Sequence, residues 1–294
     1  MDTGISARGV ALGMALGALA GCAAQPRHFI DPADRSPPGG REAVVIVSQG
    51  EIQGQIVASK RGATQGAVGA LIDIGINQHR TNAAEAVITP LRTELSDYSF
   101  DQRALAATQA TLTRLDWLSV KKTAFSKDVS KQNTNAILDR SAAPEVLIAV
   151  YDYALTADFS EMQVSARFTI APKAVPPGQS PDSRTAPEHA VYSQTFTYLI
   201  MLSSAGDDMT VNCRKWSQSH AQAARIALDR GIEGVNTLLV RELEATPDQL
   251  KKLAEGENTE AHGHKGKLAE RNSEGILLVE PGGTWVYIAR GTAG

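Results

Sequence analysis

Three segments in the middle of the chain are rich in strand-forming residues, and they constrain the fold more than any other feature. Residues 145–155 are rich in Val, Ile and Tyr, and over 162–170 Met, Val, Ala, Phe and Ile alternate with Gln, Ser, Arg and Thr. Because side chains along a strand point alternately to the two faces of a sheet, one face is expected to be buried and the other wet. A turn at 158–161 makes these two segments an antiparallel hairpin. After a proline-rich excursion over 171–190, a third strand at 191–202 completes a meander.

A long helical period follows the meander. From about Trp216 to Glu244, apolar residues recur at spacings of three or four, which places them on one helix face. Gly231 and Gly234 lie within this helix and each costs roughly 1 kcal/mol relative to alanine. We therefore expect close packing at these two glycines, with the helix covering one side of the sheet.

The chain before the meander predicts two short strands and a helical region. Residues 43–47 are rich in β-branched side chains, and 52–57 form a second apolar segment after a Gln-Gly turn. A helical pattern extends from Gly62 to Leu115, and Gly62, Gly66 and Gly69 are spaced to share one helix face. Two interpretations of this glycine face remain open: tight packing on the protein's own sheet, or contact with a membrane or partner.

The C-terminal part predicts a loop followed by a hairpin. Residues 251–274 are rich in Glu, Lys, Gly and His without an apolar period, which indicates a charged flexible loop. Residues 275–294 predict a terminal β-hairpin that places Trp285 and Tyr287 on one face. These aromatic side chains are expected either in the core or at an interface. The predicted fold is α+β, with a mostly antiparallel sheet packed against helices and a C-terminal β-hairpin.

Composition excludes several classes of function. The 29 Lys and Arg against 32 Asp and Glu give a net charge of -3, so no broad phosphate-binding surface for nucleic acid is expected. Two cysteines in 294 residues cannot form a disulfide scaffold or a four-cysteine zinc site.

The first 22 residues predict export. Arg8 precedes an apolar run from Val10 to Ala20, which has the length of a signal-peptide core and is too short to span a bilayer. The run ends in Leu19-Ala20-Gly21-Cys22, a pattern of Leu, two small residues and Cys. This segment resembles the lipobox of bacterial lipoproteins.

The resemblance implies cleavage between Gly21 and Cys22, diacylglycerol on the Cys22 sulfur and acylation of the new amino terminus. Three acyl chains on one residue give stable membrane anchoring. Ala23 follows where an Asp would imply inner-membrane retention, so the resemblance favours the periplasmic face of the outer membrane over the inner membrane.

These patterns divide the chain into five parts. Residues 1–21 are a signal peptide, and 22–42 are a Pro- and Gly-rich tether. Residues 43–250 form the α+β periplasmic domain, followed by the charged loop at 251–274 and the hairpin at 275–294.

Candidate reactive groups are weak. His262 and His264 offer two imidazoles without a recognisable third metal ligand, and Ser119 with Lys122 matches a Ser-x-x-Lys spacing outside a helix. Cys213 is expected to be a small buried residue. Acidic residues near strand ends, Asp152 and the Asp207-Asp208 pair, are expected in solvated turns. No catalytic residue, metal site or cofactor is predicted.

We expect a lipid-anchored envelope protein that binds another envelope protein without catalysis, as a component of an assembly, transport or cell-wall complex. The chain has a coarse resemblance to envelope lipoproteins whose small α/β domains dock on larger assemblies. The alternative is an exported hydrolase with an unfamiliar active site.

Overall fold

A computed structural model describes residues 30, 35–55, 84–175 and 177–292. The strands are β1 (Arg41–Val47), β2 (Gln53–Gly54), β3 (Val120–Ser126), β4 (Glu145–Leu155), β5 (Glu161–Pro172), β6 (Tyr192–Leu202), β7 (Asn258–Ala261), β8 (His264–Arg271), β9 (Gly275–Val279) and β10 (Trp285–Thr292). The helices are α1 (described over 84–94), α2 (Phe100–Arg114), α3 (Lys131–Arg140), α4 (Met209–Glu244) and α5 (Pro247–Ala254).

The described strands form one mixed sheet. Their order is β3-β1-β4-β5-β6-β10-β9-β8-β7, and β2 pairs with β4. The pairs β1–β3, β1–β4, β2–β4 and β6–β10 are parallel, so the prediction of a mostly antiparallel sheet is wrong. The physical reason is that helices lie between paired strands in the chain. These helices return the chain to the end of the sheet at which the first strand began, so that the two paired strands run in the same direction.

The two short strands predicted on either side of residue 50 are present as β1 and β2, but the chain does not reverse its direction at the expected turn between them. β1 and β2 both run parallel to β4 and pair with successive stretches of it, Glu145–Tyr151 and then Ala154–Leu155. Between them, Gln49 Nε2 donates to the Tyr153 carbonyl at 3.0 Å, and Gln49 Oε1 accepts from the Tyr153 N–H at 2.8 Å. The Gln49 side-chain amide thus makes the hydrogen bonds to the β4 backbone in the gap between β1 and β2. The chain from β1 to β2 therefore continues in one direction along β4.

The meander and the long helix form the centre of the domain. β4, β5 and β6 pair antiparallel in register over most of their lengths, as the alternation predicted. α4 packs on β5 and β6, and α2 packs on both α4 and the sheet. A Cβ on Gly231 would lie 2.4 Å from Val164 Cγ2, so the predicted close packing at this glycine is confirmed.

α4 begins earlier than expected and is interrupted. Asp208 caps it by accepting from the Thr210 and Val211 N–H groups at 2.7 and 3.3 Å. Within it, Ser219, His220 and Ala221 have φ between 53° and 56°, which is the left-handed region. Right-handed helix therefore lies on both sides of a left-handed turn.

The face of the sheet opposite α4 is covered at both ends. α3 packs Leu138 against the outer side chains of β1 and β4. The β7–β8 hairpin packs Ala261 and Leu268 against apolar side chains of β6, β9 and β10.

The prediction of a flexible loop over 251–274 is therefore wrong, because this region holds α5, β7 and β8. His262 and Gly263 form a two-residue turn with φ of 51° and 77°, as type I′ hairpins require. The charged side chains that suggested a loop are mostly at least partly solvent-exposed, whereas backbone pairing holds the two strands together.

The domain also begins before the predicted boundary at residue 43. Ile30 is 4% exposed and belongs to the main core, so the predicted tether at 22–42 includes part of the folded domain. Ser36 Oγ donates to the Trp117 carbonyl at 2.7 Å, and the buried Arg41 guanidinium donates to the Arg35 and Leu118 carbonyls. Among the described helices, none is long and apolar enough to cross a membrane.

Candidate functional site

A groove lies along the outer side of α4. It consists of two adjoining cavities of about 540 and 320 Å³, which share Thr237 and Arg241 as lining residues. We call the larger one the α5-side cavity and the smaller one the β8-side cavity, after the elements that form their outer walls. Thr237 is exposed at the point where the two meet.

The α5-side cavity has an apolar floor and charged walls. Val240 and Ala245 of the α4 end and Leu253 of α5 line the floor. α5 is fixed there by a capping box, in which the Thr246 side chain accepts from the Gln249 N–H and the Gln249 side chain accepts from the Thr246 N–H. The capping box therefore defines the start of α5 beside the end of α4, where this cavity lies.

Four ionisable side chains surround that floor: Arg114, Arg241, Glu244 and Lys252. Arg114 Nη2 lies 3.7 Å from Glu244 Oε2, and both side chains are at least half exposed. Lys252 forms no ion pair among the described residues. The walls therefore carry three cations against one carboxylate.

The β8-side cavity is built on two stacked tyrosines. Tyr198 of β6 and Tyr287 of β10 are neighbours in the sheet, with ring centroids 4.9 Å apart and an interplanar angle of 23°. A Cβ on Gly234 would lie 2.1 Å from Tyr198 Cδ2, so only glycine allows α4 to approach the ring this closely. A Cβ on Gly275 would lie 2.9 Å from Tyr287 Cζ, which places that ring over the start of β9.

Charged side chains surround these rings. Burial raises the pKa of Tyr198, and the nearby Arg230 guanidinium partly opposes this shift. Burial also raises the pKa of Tyr287, and the Tyr198, Glu274 and Glu270 side chains add to the effect. Both phenols stay protonated at neutral pH and can donate hydrogen bonds into the cavity.

An ion pair lies where the two cavities meet. Arg241 Nη1 lies 2.5 Å from Glu270 Oε2, which joins α4 to β8, and both side chains are about one-third exposed. The lining residues of the β8-side cavity include two arginines and three glutamates: Arg230, Arg241, Glu233, Glu270 and Glu274. The charge balance of the groove therefore changes sign along α4.

The structure separates the two predicted aromatic residues. Tyr287 lines the β8-side cavity, whereas Trp285 is fully buried. Trp285 ends a row of core rings beneath α4, with its ring centroid 5.9 Å from that of Phe196. Of the two roles expected for Trp285, the structure therefore shows core packing rather than an interface. The other predicted site residues, Gly21, Cys22, Gly62, Gly66 and Gly69, lie outside the described residues.

The predicted histidine pair does not converge on one point. His262 Nδ1 lies 2.5 Å from Glu161 Oε1, and His264 Nδ1 lies 2.8 Å from Glu280 Oε1. Each imidazole therefore fixes the β7–β8 hairpin to a different carboxylate. Within the described part of the chain, no three His, Cys, Asp or Glu side chains are arranged to hold a metal ion.

The remaining candidate groups are the Ser119–Lys122 pair, Cys213 and the acidic residues near strand ends. Ser119 is left-handed with φ of 53° and Lys122 lies on β3, so they do not share a helix turn. Cys213 is buried, its Sγ donates to the Val87 carbonyl at 3.0 Å, and burial raises the pKa of its thiol. Asp152 was expected in a turn but lies within β4, where burial raises the pKa of its carboxyl and the Arg167 guanidinium opposes the shift. Backbone N–H groups of α4 lower the pKa of Asp208, which precedes that helix.

Sequence reasoning missed most of the groove. The lining residues come from distant parts of the chain and follow no local pattern; Arg114, Thr237 and Lys252 belong to three helices and Glu274 to the β8–β9 turn. Two lining residues did give a local signal: Gly234, because a glycine inside a helix indicates a close neighbour, and Tyr287, because it is an aromatic residue on the predicted terminal hairpin.

Comparison with known proteins does not assign the chain to a family. No family model and no curated protein matches it. Among solved structures, the PelC dodecamer from Paraburkholderia phytofirmans is similar at 11% identity and a TM-score of 0.23, covering 68% of this chain and 93% of that one. A substituted variant of the same dodecamer gives 14% identity and a TM-score of 0.23, over 71% of this chain and 93% of the other. This likeness is too low to establish a shared fold.

Proposed function

We propose that this chain is a lipid-anchored protein on the periplasmic face of the outer membrane, and that it binds another envelope protein without catalysing a reaction. The groove along α4 is the proposed docking surface. The observation that carries this proposal is that two cavities of about 540 and 320 Å³ adjoin along α4 and share Thr237 and Arg241 as lining residues.

Membrane anchoring is supported by the lipobox and is compatible with the length of the segment between Cys22 and the domain. The lipobox Leu19-Ala20-Gly21-Cys22 implies acylation at Cys22. Ile30, eight residues further on, is buried in the core. At 3.3–3.6 Å per residue this segment reaches at most about 29 Å. An acylated Cys22 would therefore hold the domain close to the bilayer surface.

The chemistry of the groove fits protein recognition. Its lining combines tyrosine and arginine side chains with an apolar floor, and tyrosine and arginine are enriched at the centres of protein interfaces. Most of the lining belongs to helices and strands, and only Asn272 and Glu274 belong to the short β8–β9 turn, so little of the wall must be ordered when a partner binds.

The anchoring part is tested by replacing the acylated residue. In the source bacterium, Cys22→Ala should abolish labelling by a radioactive fatty acid and leave the leader attached. Ser36→Ala is a matched control, because it changes a nearby side chain and keeps the lipobox. Undiminished labelling of Cys22→Ala would refute the lipoprotein assignment.

The docking part is tested by photocrosslinking in intact cells. A photoreactive amino acid at Thr237 lies exposed in the centre of the groove, and the same amino acid at the exposed Gln132 of α3 lies on the other side of the sheet. We expect one defined envelope protein, identified by mass spectrometry, to crosslink at Thr237 and not at Gln132. Equal crosslinking patterns at the two positions would contradict docking in the groove.

A further inference from the structure

The two ends of the groove differ in the charges that are left unpaired. Arg241 is paired with Glu270 and Arg114 lies beside Glu244, so these four side chains largely neutralise one another. In the α5-side cavity this leaves Lys252, which has no ion pair among the described residues. A ligand there meets a positive charge above an apolar floor.

The opposite end has the reverse balance. Glu233 and Glu274 line the β8-side cavity and form no ion pair within the described ranges. Arg230 is the remaining cation of the lining, and it lies close enough to Tyr198 to oppose the rise in the pKa of that phenol. A ligand at this end meets more negative than positive charge.

The spacing of the two ends fits a short extended peptide. The lining residues of α4 extend from Arg230 to Glu244, which is 15 residues. At 1.5 Å per residue, this stretch of helix is about 22 Å long. An extended chain advances about 3.3 Å per residue, so six or seven residues span the groove.

We propose that the groove binds an extended segment of a partner protein that is acidic at the α5 end and basic at the β8 end. The acidic side chain lies near Lys252, and the basic one lies near Glu233 and Glu274. Apolar side chains between them pack on Val240 and Leu253. This inference rests on the proposed docking function and adds the chemistry of the partner to it.

The proposal is tested with two fluorescein-labelled heptapeptides of identical composition. One has two Glu at one end, three apolar residues and two Lys at the other end, and its isomer alternates Glu and Lys. Binding to the mature, acylated chain in detergent micelles is measured by fluorescence polarisation. The segregated peptide should bind about tenfold more tightly than the alternating isomer, because only it places both charges beside opposite ones.

Charge reversals in the protein locate the binding. Lys252→Glu and Glu274→Lys should each weaken binding of the segregated peptide by about five- to tenfold. Lys251→Glu and Glu257→Lys are matched controls on exposed residues outside the lining, and they should leave the affinity within twofold. The circular dichroism spectrum of each variant should be unchanged.

Three results would overturn the proposal. They are equal binding of the two peptides, an affinity insensitive to Lys252→Glu and Glu274→Lys, or Lys252-dependent binding of a short-chain anionic phospholipid in place of the peptide. If a defined partner still crosslinks at Thr237 after either of the first two results, docking in the groove stands and only the charge assignment of the partner fails. The failure of the charge assignment is thereby distinguished from the failure of the proposed function.

Discussion

Replacing Gly234 with alanine tests the close approach of α4 to the sheet beneath the groove. The added Cβ would lie 2.1 Å from Tyr198 Cδ2 and 2.3 Å from Cε2. Ordinary carbon contacts are 3.5–4.0 Å, so the helix or the ring must move by more than about 1 Å. The ring has little room, because Tyr287 is stacked against it at a centroid distance of 4.9 Å.

The expected magnitude is the difference between two effects. Overpacking in a well-filled site costs about 1–3 kcal/mol, and here the clash favours the upper part of that range. Alanine regains about 1 kcal/mol over glycine inside a helix. Gly234→Ala should therefore lower the free energy of unfolding by about 1–2 kcal/mol, which corresponds to a decrease in Tm of about 2–8 °C for a domain of this size.

Urea denaturation followed by circular dichroism measures this difference. Gly206→Ala is the control, because a Cβ there meets no atom within 4 Å. The control should be neutral or stabilised by up to about 1 kcal/mol through the reduced entropy of its unfolded state. If Gly234→Ala is as stable as the original protein or more stable, the packing of α4 on Tyr198 is refuted.

Three further predictions concern the interior and the interrupted helix. His220→Gly should leave the free energy of unfolding unchanged or raise it by up to about 1 kcal/mol, because His220 has φ of 56° and an exposed side chain. The same change in a regular helix would cost about 1 kcal/mol, and urea denaturation distinguishes the two signs. Tyr151→Phe should destabilise the domain by about 1–3 kcal/mol, since it removes the hydroxyl bonded to Thr108 Oγ1 at 2.7 Å and Asn236 Nδ2 at 2.9 Å; a loss below 0.5 kcal/mol in chemical denaturation, taken as roughly the size of a surface change, would contradict this network. Cys213 should react with a maleimide much more slowly in the native protein than in urea, because its side chain is buried. The native rate should still be rising above pH 8.5, because burial raises the pKa of the thiol and the thiolate forms only at higher pH. Equal native and unfolded rates would show that the thiol is accessible.

The elements with a strong period were predictable from the sequence. β4, β5 and β6 were found because Met162, Val164 and Phe168 alternate with polar residues, and α4 because its apolar stripe runs through most of its length. In both cases, one local pattern is enough to specify one buried face.

Strand direction and strand partners were not predictable in this way. The direction of β1 relative to β4 depends on the path of more than ninety intervening residues and on the contacts of Gln49, neither of which leaves a local pattern. The β7–β8 hairpin was missed for a different reason. Its polar side chains resemble those of a loop, and only the turn at His262 and Gly263 indicates paired strands.

The candidate site was predictable only in part. Tyr287 was singled out because exposed aromatic residues anchor interfaces, and it lines the groove. Arg114, Lys252 and Glu274 are ordinary charged residues in the sequence, and only the fold brings them to one surface. The charge gradient along α4 is therefore a property of the tertiary structure.

The proposed function depends first on the chemical state of the mature amino terminus. Mass spectrometry of the protein purified from membranes of its source bacterium measures that state directly. The account predicts a chain that begins at Cys22 and carries a diacylglyceryl group on sulfur and an acyl group on nitrogen. A chain that retains residues 1–21 with a free Cys22 thiol would contradict it.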